Sequence, residues 1–329
     1  MAIEIADVVA QFGVQYINQG QNLSTLKKLL YATSQTSALF ANRPQESDYF
    51  RSVAAKTSSV LQAFQKAFTA KGTTTFEPNQ FPLFHMKIDF SDYPDEFEGS
   101  YLGFIDPLDD LARANWPYIK WLIEQHILSA KEEDMEKFVA FLGVRVTPTP
   151  GTAGLTLGSM DGIRKVIRGY NTAGRLYLGN GPLTMGAIAT DPKDFCTQVE
   201  EWVESMDPTF RKTLKEICMS ETLASRYRKG KRGLYGLNVN YLTGTTPADR
   251  STIEDYPSMM VVGLLSMEGS DMIWASPAMN RIRPLKKTKL ANVFKVEEAK
   301  REVAIMTDWW ESLNFEVPEW VVTNEFDLV

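Results

Sequence analysis

Hydrophobic and polar positions follow three rhythms along this chain. From Asn115 to Leu142 the period is helical. Tyr118, Trp121, Leu122, Leu128, Met135, Phe138, Val139 and Leu142 recur at three- and four-residue steps, with Glu132, Glu133, Asp134, Glu136 and Lys137 largely between them. Asn115 is a good N-cap, and Pro117 sits near the first turn, where its missing N–H costs nothing. Unbroken, such a helix runs roughly 40 Å, long enough to act as a spine. Before it, the period is two. Phe84, Met86, Ile88 and Phe90 alternate with His85, Lys87 and Asp89; turn residues follow at Ser91–Asp95; then Phe97, Gly99, Tyr101, Gly103 and Ile105 alternate again. The pattern predicts a two-stranded ribbon over residues 73–106 with no third strand. An isolated hairpin is marginal in water, so it must lie on a neighbour.

Residues 1–72 read as mostly helical but thinly apolar. Phe50, Val53, Val60, Leu61, Phe64 and Phe68 fall at helical spacing, and polar runs such as INQGQNLST separate the short apolar patches. A segment with so little apolar surface cannot hold a core alone and reads as an arm packed along something else. After the spine, Val144–Val146 and the Pro/Gly-rich run TPTPGTAGLTLGS mark the clearest domain boundary. Helices are predicted over Met160–Tyr170, from Asp191-Pro192 onward, from Asp207-Pro208 through Leu214, Ile217 and Cys218, and after a Ser220 cap. Met259–Leu265 and Asp271–Ala275 read as buried strands, and helix and strand signals alternate from Lys295 to the end.

Composition changes this picture little, and charge changes it more. The 329 residues are 44% hydrophobic with a net charge of −6, which suits a globular chain and argues against a dedicated nucleic-acid binder. The charge is uneven. Residues 1–72 carry seven Lys or Arg against four acids, residues 73–115 two against nine, and residues 276–300 seven against two. Such alternation suits segments that meet oppositely charged partners, in the same chain or another copy. Cys196 and Cys218 are too few for a disulfide framework or a cysteine-rich zinc site, so a reduced setting is expected. The N-terminus lacks the basic region and long apolar run of a signal peptide, and no apolar run is long enough to span a membrane.

Candidate chemistry is sparse. His85 and His126 have no triad or ligand spacing around them. The acids Asp92, Asp95, Glu96, Glu98, Asp106, Asp109 and Asp110 could supply a carboxylate pair for glycoside hydrolysis or a divalent-ion site, but acids flanking a hairpin usually protect its edges. Gly179–Gly186 superficially resembles a phosphate cradle, yet fits neither the P-loop nor the GxGxxG spacing and reads as a turn. Two basic runs, Arg226–Arg232 and Arg281–Lys289, could contact phosphates, with subunit contacts the better reading. No catalytic, cofactor-binding or metal residue is assigned, and no cofactor.

The order of elements carries more than any motif. A sparse arm, an acidic ribbon, a long helix, a helix-and-strand region after a Pro/Gly joint and a C-terminal return resemble the Hong Kong 97-like major capsid proteins of tailed bacteriophages. The stretches MDGIRKVI, MSETLASRYRKG and MIWASPAMNRIR are similar to stretches of such chains. The resemblance implies an α+β capsid fold: an N-terminal arm over residues 1–72, an extended loop over 73–106, a peripheral domain with the spine helix over 107–154, an axial domain over 155–275 and a peripheral return over 276–329. It further implies a non-enzymatic structural protein that self-assembles into hexamers and pentamers of an icosahedral head enclosing double-stranded DNA, located in the virion and, before assembly, in the host cytoplasm. Its partners would be other copies of itself, with portal, scaffold or decoration proteins, non-specifically held DNA and no membrane. The alternatives are an encapsulin-type shell protein, which shares the fold, and a carboxylate-based hydrolase using the acids between Asp92 and Asp110.

Overall fold

The computed structural model describes residues 35–92, 121–235, 251–287, 295–299 and 302–328. The chain divides into two compact units. The first takes residues 1–46, 84–165 and 283–313; the second takes 47–83, 166–282 and 314–329.

In the first unit, strand β1 (Ala41–Gln45) belongs to a sheet with β4 (Phe84–Asp92), β8 (Arg281–Lys286), β9 (Lys295–Ala299) and β10 (Glu302–Glu311). The alternation at 84–90 does make a strand. Its partner, however, is β10, antiparallel from Val303↔Asp92 to Glu311↔Phe84. The expectation of a two-stranded ribbon over 73–106 with no third strand is therefore corrected for its described part, where 74–82 and 84–92 are separate strands with partners elsewhere: a partner 210 or more residues away in sequence leaves no local signal. The second half of that ribbon, Phe97–Ile105, lies outside the described residues, as do Asn115, Pro117 and Tyr118.

The spine is helical across its described length, but not uniformly α. A segment Leu128–Asp134 (α1) is flanked by wider π turns, Leu122–Ile127 and Met135–Val139. Their i→i+5 bonds appear where Leu128 donates to the Ile123 carbonyl and Ala140 to that of Met135. Each wide turn adds a residue and rotates the buried face. That rotation explains why Phe138, expected inside, is 46% exposed, while Glu136, expected outside, is buried; Lys131, three residues after Leu128 and four before Met135, is buried on the apolar face itself. Both buried groups are put to use. Glu136 accepts from the Thr36 backbone N–H (3.0 Å) and hydroxyl (2.8 Å), capping the helical turn Gln35–Ala38. Lys131 lies over the Trp309 ring at 5.5 Å, within the field of Glu311. Glu311 in turn accepts from Arg283 at 2.8 Å and from the Trp309 indole at 3.1 Å.

This cluster couples the spine to the sheet electrostatically. Burial alone would raise the Glu311 carboxyl, but Arg283 and then Lys131 outweigh it and hold it below the usual carboxylate range. Burial lowers the Lys131 ammonium, with Glu311 opposing. The spine ends in an equally close fit. The first N–H groups of α2 (Ile163–Thr172) reach the last carbonyls of the spine: Gly162 to Gly143 (2.9 Å), Ile163 to Ala140 (2.9 Å) and Arg164 to Phe141 (3.2 Å). Orphan donors of one helix thus satisfy orphan acceptors of the other. A Cβ on Gly162 would lie 2.5 Å from the Phe141 oxygen, so only glycine permits the approach. The Pro/Gly joint is a short excursion within this unit, because Val144 and Val146 donate to Leu157 (2.9 Å) and Gly158 (3.1 Å).

The second unit is built on a four-stranded sheet of order β12-β7-β5-β6: β5 (Glu216–Ser220), β6 (Met260–Leu264), β7 (Trp274–Ala275) and β12 (Val322–Thr323). Cys218, expected in a helix, is on β5, which pairs in parallel with β6. Its neighbours Ile217 and Met219 are buried, as both faces of a covered parallel sheet require. Helices α3 (Pro192–Glu204) and α4 (Glu221–Tyr235) start as the sequence predicts. Asp191 caps α3 by accepting from Lys193 (2.8 Å), and Ser220 accepts from Leu223 (3.3 Å). Phe195, Val199, Trp202 and Val203 of α3 meet Leu223 and Tyr227 of α4 and Ile217, Val261 and Ile273 of the sheet region in one core. Beside this core, β11 (Asn314–Phe315) pairs with Ile282 and Arg281.

Replacing Glu311 by Gln should leave Arg283 buried without its counter-charge and cost about 3–5 kcal/mol in a denaturant titration. Lys131→Met should also destabilise, though by less than Glu311→Gln, since Arg283 still pairs with the buried carboxylate. The Glu311 contribution is present above the ordinary carboxyl value of 4.5 and lost as pH falls through its lower folded value, so Glu311→Gln should flatten the acid limb of the stability curve. Gly162→Ala should cost about 1–3 kcal/mol by overpacking.

Candidate assembly interface

The second unit contains one element that its own core does not cover. Strand β2 (Tyr49–Thr57) and strand β3 (Thr74–Pro82) pair antiparallel over nine positions, from Tyr49↔Pro82 to Thr57↔Thr74. Each strand is roughly 30 Å long at about 3.3 Å per residue. The helical reading of residues 50–68 is overturned here. Phe50, Ser52 and Ala54 are half-buried and alternate with exposed Tyr49, Arg51, Val53 and Ala55, which is the period of a strand; residues 58–73 form an irregular tip. The overlooked signals are the β-branched run Thr73-Thr74-Thr75 and Gly72, whose φ of +100° suits a turn.

The base of the hairpin is anchored. Phe50 stacks on its cross-strand partner Phe81 at 5.1 Å. The Asn79 amide donates to the carbonyls of Phe315 (3.1 Å) and Glu316 (3.0 Å), and the Ser52 hydroxyl also donates to Glu316 (3.0 Å). Arg175 donates to Glu319 at 2.6 Å while lying 3.8 Å from Glu77 of β3. The Tyr170 hydroxyl donates to the Phe315 carbonyl at 3.2 Å, and burial pushes its pKa upward, so it stays a neutral donor. Residues 314–319 thus form a socket for the hairpin base within this unit.

Beyond that socket the apolar side chains of the hairpin lie largely in solvent. Leu61 is 85% exposed, Phe64 93% and Phe68 96%, with Val53, Val60 and Phe76 also exposed. Three large side chains so fully exposed, within eight residues of one another, make a concentrated apolar patch. Such concentrations mark surfaces that meet another molecule. Fully burying each stabilises by about 1.5–3 kcal/mol.

The other sequence candidates resolve differently. His85 is exposed on β4, 2.6 Å from Asp308 and stacked on Trp310 at 4.6 Å; His126 meets the edge of Trp121. Asp92 ends β4, and the acids from Asp95 to Asp110 lie outside the described residues. The Gly179–Gly186 turn does bind a carboxylate, that of the chain's own Glu325, through the N–H groups of Met185 (2.8 Å) and Gly186 (2.7 Å). Most of the basic groups are used internally. Arg226 donates to the Ala189 carbonyl (2.9 Å), Arg228 pairs with Glu221, Lys231 lies 3.2 Å from Glu254, and Arg281 pairs with Glu216. Lys289 lies outside the described residues, whereas Lys229 and Arg232 are exposed. Burial pushes both Cys196 and Cys218 up to about 12, leaving them protonated and unreactive. Among the described residues, no group of three or more His, Cys, Asp or Glu could hold a metal ion, and no helix is long and apolar enough to cross a membrane.

No protein-family model matches this chain, and no curated protein sequence does. Solved structures do. A chain of the satellite phage P4 procapsid, including size determination (Sid) protein, aligns with a TM-score of 0.58 at 11% identity, covering 97% of this chain and 95% of that one. The capsid of Myoviridae phage XM1 aligns with a TM-score of 0.50 at 12% identity, covering 87% and 88%. At this identity the likeness is one of fold, and it extends along nearly the whole chain. The architecture is α+β, and the fold is the Hong Kong 97-like capsid fold.

Replacing Phe64 and Phe68 together by Ser should change stability by less than about 0.5 kcal/mol, because neither is packed. The same change should lower hydrophobic-dye binding by the free chain.

Proposed function

We propose that this protein is a structural capsid subunit, which self-assembles into the hexamers and pentamers of an icosahedral phage head enclosing double-stranded DNA. The observation that carries this reading is the β2–β3 hairpin: firmly seated at its base, yet bearing Leu61, Phe64 and Phe68 of its tip in solvent. A monomer gains nothing from that arrangement. A shell whose subunits overlap buries it. The likeness in fold to the P4 procapsid chain and the XM1 capsid supports the same reading.

The parts take roles accordingly. Residues before the hairpin serve as the N-terminal arm, and the hairpin at 47–83 serves as the extended loop, in place of the 73–106 ribbon. The first unit, with the spine, is the peripheral domain; residues 166–282 of the second form the axial domain. The role is structural and non-enzymatic, with the virion as its location and the host cytoplasm before assembly. Its partners are other copies of itself, with portal, scaffold or decoration proteins at the margins. DNA is held weakly, since most cations of the basic runs are committed to carboxylates and carbonyls of the same chain.

Light scattering after size exclusion, with negative-stain microscopy, tests this. The full chain should form shells or discrete hexamers and pentamers; a monomer or dimer at every salt and protein concentration would refute the reading. Replacing residues 58–73 by a two-residue Asn-Gly turn between Thr57 and Thr74 should leave unfolding unchanged and abolish shells.

A further inference from the structure

The tip of the hairpin has no backbone pairing of its own. Between Ser58 and Thr73, whose backbones are joined at 3.0 Å, no backbone-to-backbone hydrogen bond links residues 59–72, which are all described. Side chains substitute for it. The Gln62 amide donates to the Thr69 carbonyl (2.7 Å) and the Lys71 ammonium to the Leu61 carbonyl (2.6 Å). An exposed stretch without its own backbone pairing has little to hold it in one conformation.

Its sequence is that of a helix. Ser59-Val60-Leu61-Gln62 is a capping box, Ser followed three residues later by Gln. Gln62, Ala63, Gln65, Lys66, Ala67, Ala70 and Lys71 are good helix formers. Gly72, already at a φ of +100°, suits the position after a helix C-terminus, and Lys71 suits its last turn. On a helical wheel, Val60, Leu61, Phe64 and Phe68 fall within an arc of about 100°, opposite Gln62, Gln65, Lys66 and Thr69. Those four apolar residues are the exposed ones.

We propose that residues 59–71 fold into an amphipathic helix when the tip docks on a second copy of this chain, an inference that rests on the capsid reading. The second copy is the occupant that charge favours. Residues 56–73 carry Lys56, Lys66 and Lys71 and no acid, whereas the chain as a whole is at −6. The first unit also offers exposed apolar side chains at Val144, Val146 and Leu155, in the same unit as the acidic run Glu132-Glu133-Asp134 of the spine. Free, the tip cannot sustain a helix, because an isolated run of this length is marginal in water. Docked, its apolar stripe is covered and the helix supplies the missing backbone bonds, as in other helix-in-groove contacts.

The test uses the full chain with substitutions at Ala67, which is exposed and in the helix interior. Ala67→Gly should raise the critical concentration for assembly about fivefold, and Ala67→Pro on the order of a hundredfold, in the ratio of their helix costs. Both should leave the unfolding midpoint of the free subunit unchanged. Hydrogen exchange on the unsubstituted chain should show the amides of residues 63–71 protected in the assembled state only. Assembly of Ala67→Pro at the unsubstituted concentration, or shells whose tip amides remain unprotected, would overturn the helix while leaving the capsid reading intact. Failure of the unsubstituted chain to assemble would instead remove the capsid reading and the docking with it.

Discussion

A buried carboxylate organises the first unit. Glu311 is fully enclosed and accepts from Arg283 of the neighbouring strand and from the indole of Trp309, with the ammonium of Lys131 from the spine in its field. A charge in that position is costly unless its counter-charges are held in place, and here two cations on two different elements hold it. The arrangement therefore fixes more than energy. It specifies which turn of the spine faces the sheet, and thereby which residues of the spine remain outside. The exposure of Phe138 and the burial of Lys131 follow from the same choice.

The second unit solves a different problem. Its core is an ordinary one, two helices against a covered sheet. Against that background the β2–β3 hairpin stands apart. Its base is fixed by donors reaching the carbonyls of residues 315–316 and by the Arg175–Glu319 pair, so its direction is set by the fold. Its tip carries Leu61, Phe64 and Phe68 almost wholly in solvent. Rigid seating with an uncovered end is the geometry of a contact made between molecules, and it links the packing of one subunit to the proposed shell.

The extent to which this was legible beforehand depends on where the information lies. Helix starts were readable because capping is local: Asp191-Pro192 and Ser220 act on N–H groups within three residues. The β4 strand was readable from its own alternation. The hairpin was not, because Val60, Leu61, Phe64 and Phe68 do have helical spacing, and that true signal masked the strand before it. Cys218 was assigned to a helix for a similar reason, since a strand covered on both faces shows no alternation.

By itself, then, the sequence determined the local elements with their caps, the lack of a recognisable catalytic motif, and an order of parts that resembles a capsid chain. The tertiary structure decided the pairings and the faces. β4 chose β10 instead of a sequence neighbour; the π turns rotated the spine; and Arg281 and Arg283 of the second basic run found Glu216 and Glu311, far away in the chain. These are contacts between residues separated by tens to hundreds of positions. Their free energy depends on three-dimensional register and desolvation, which no local pattern of residues encodes.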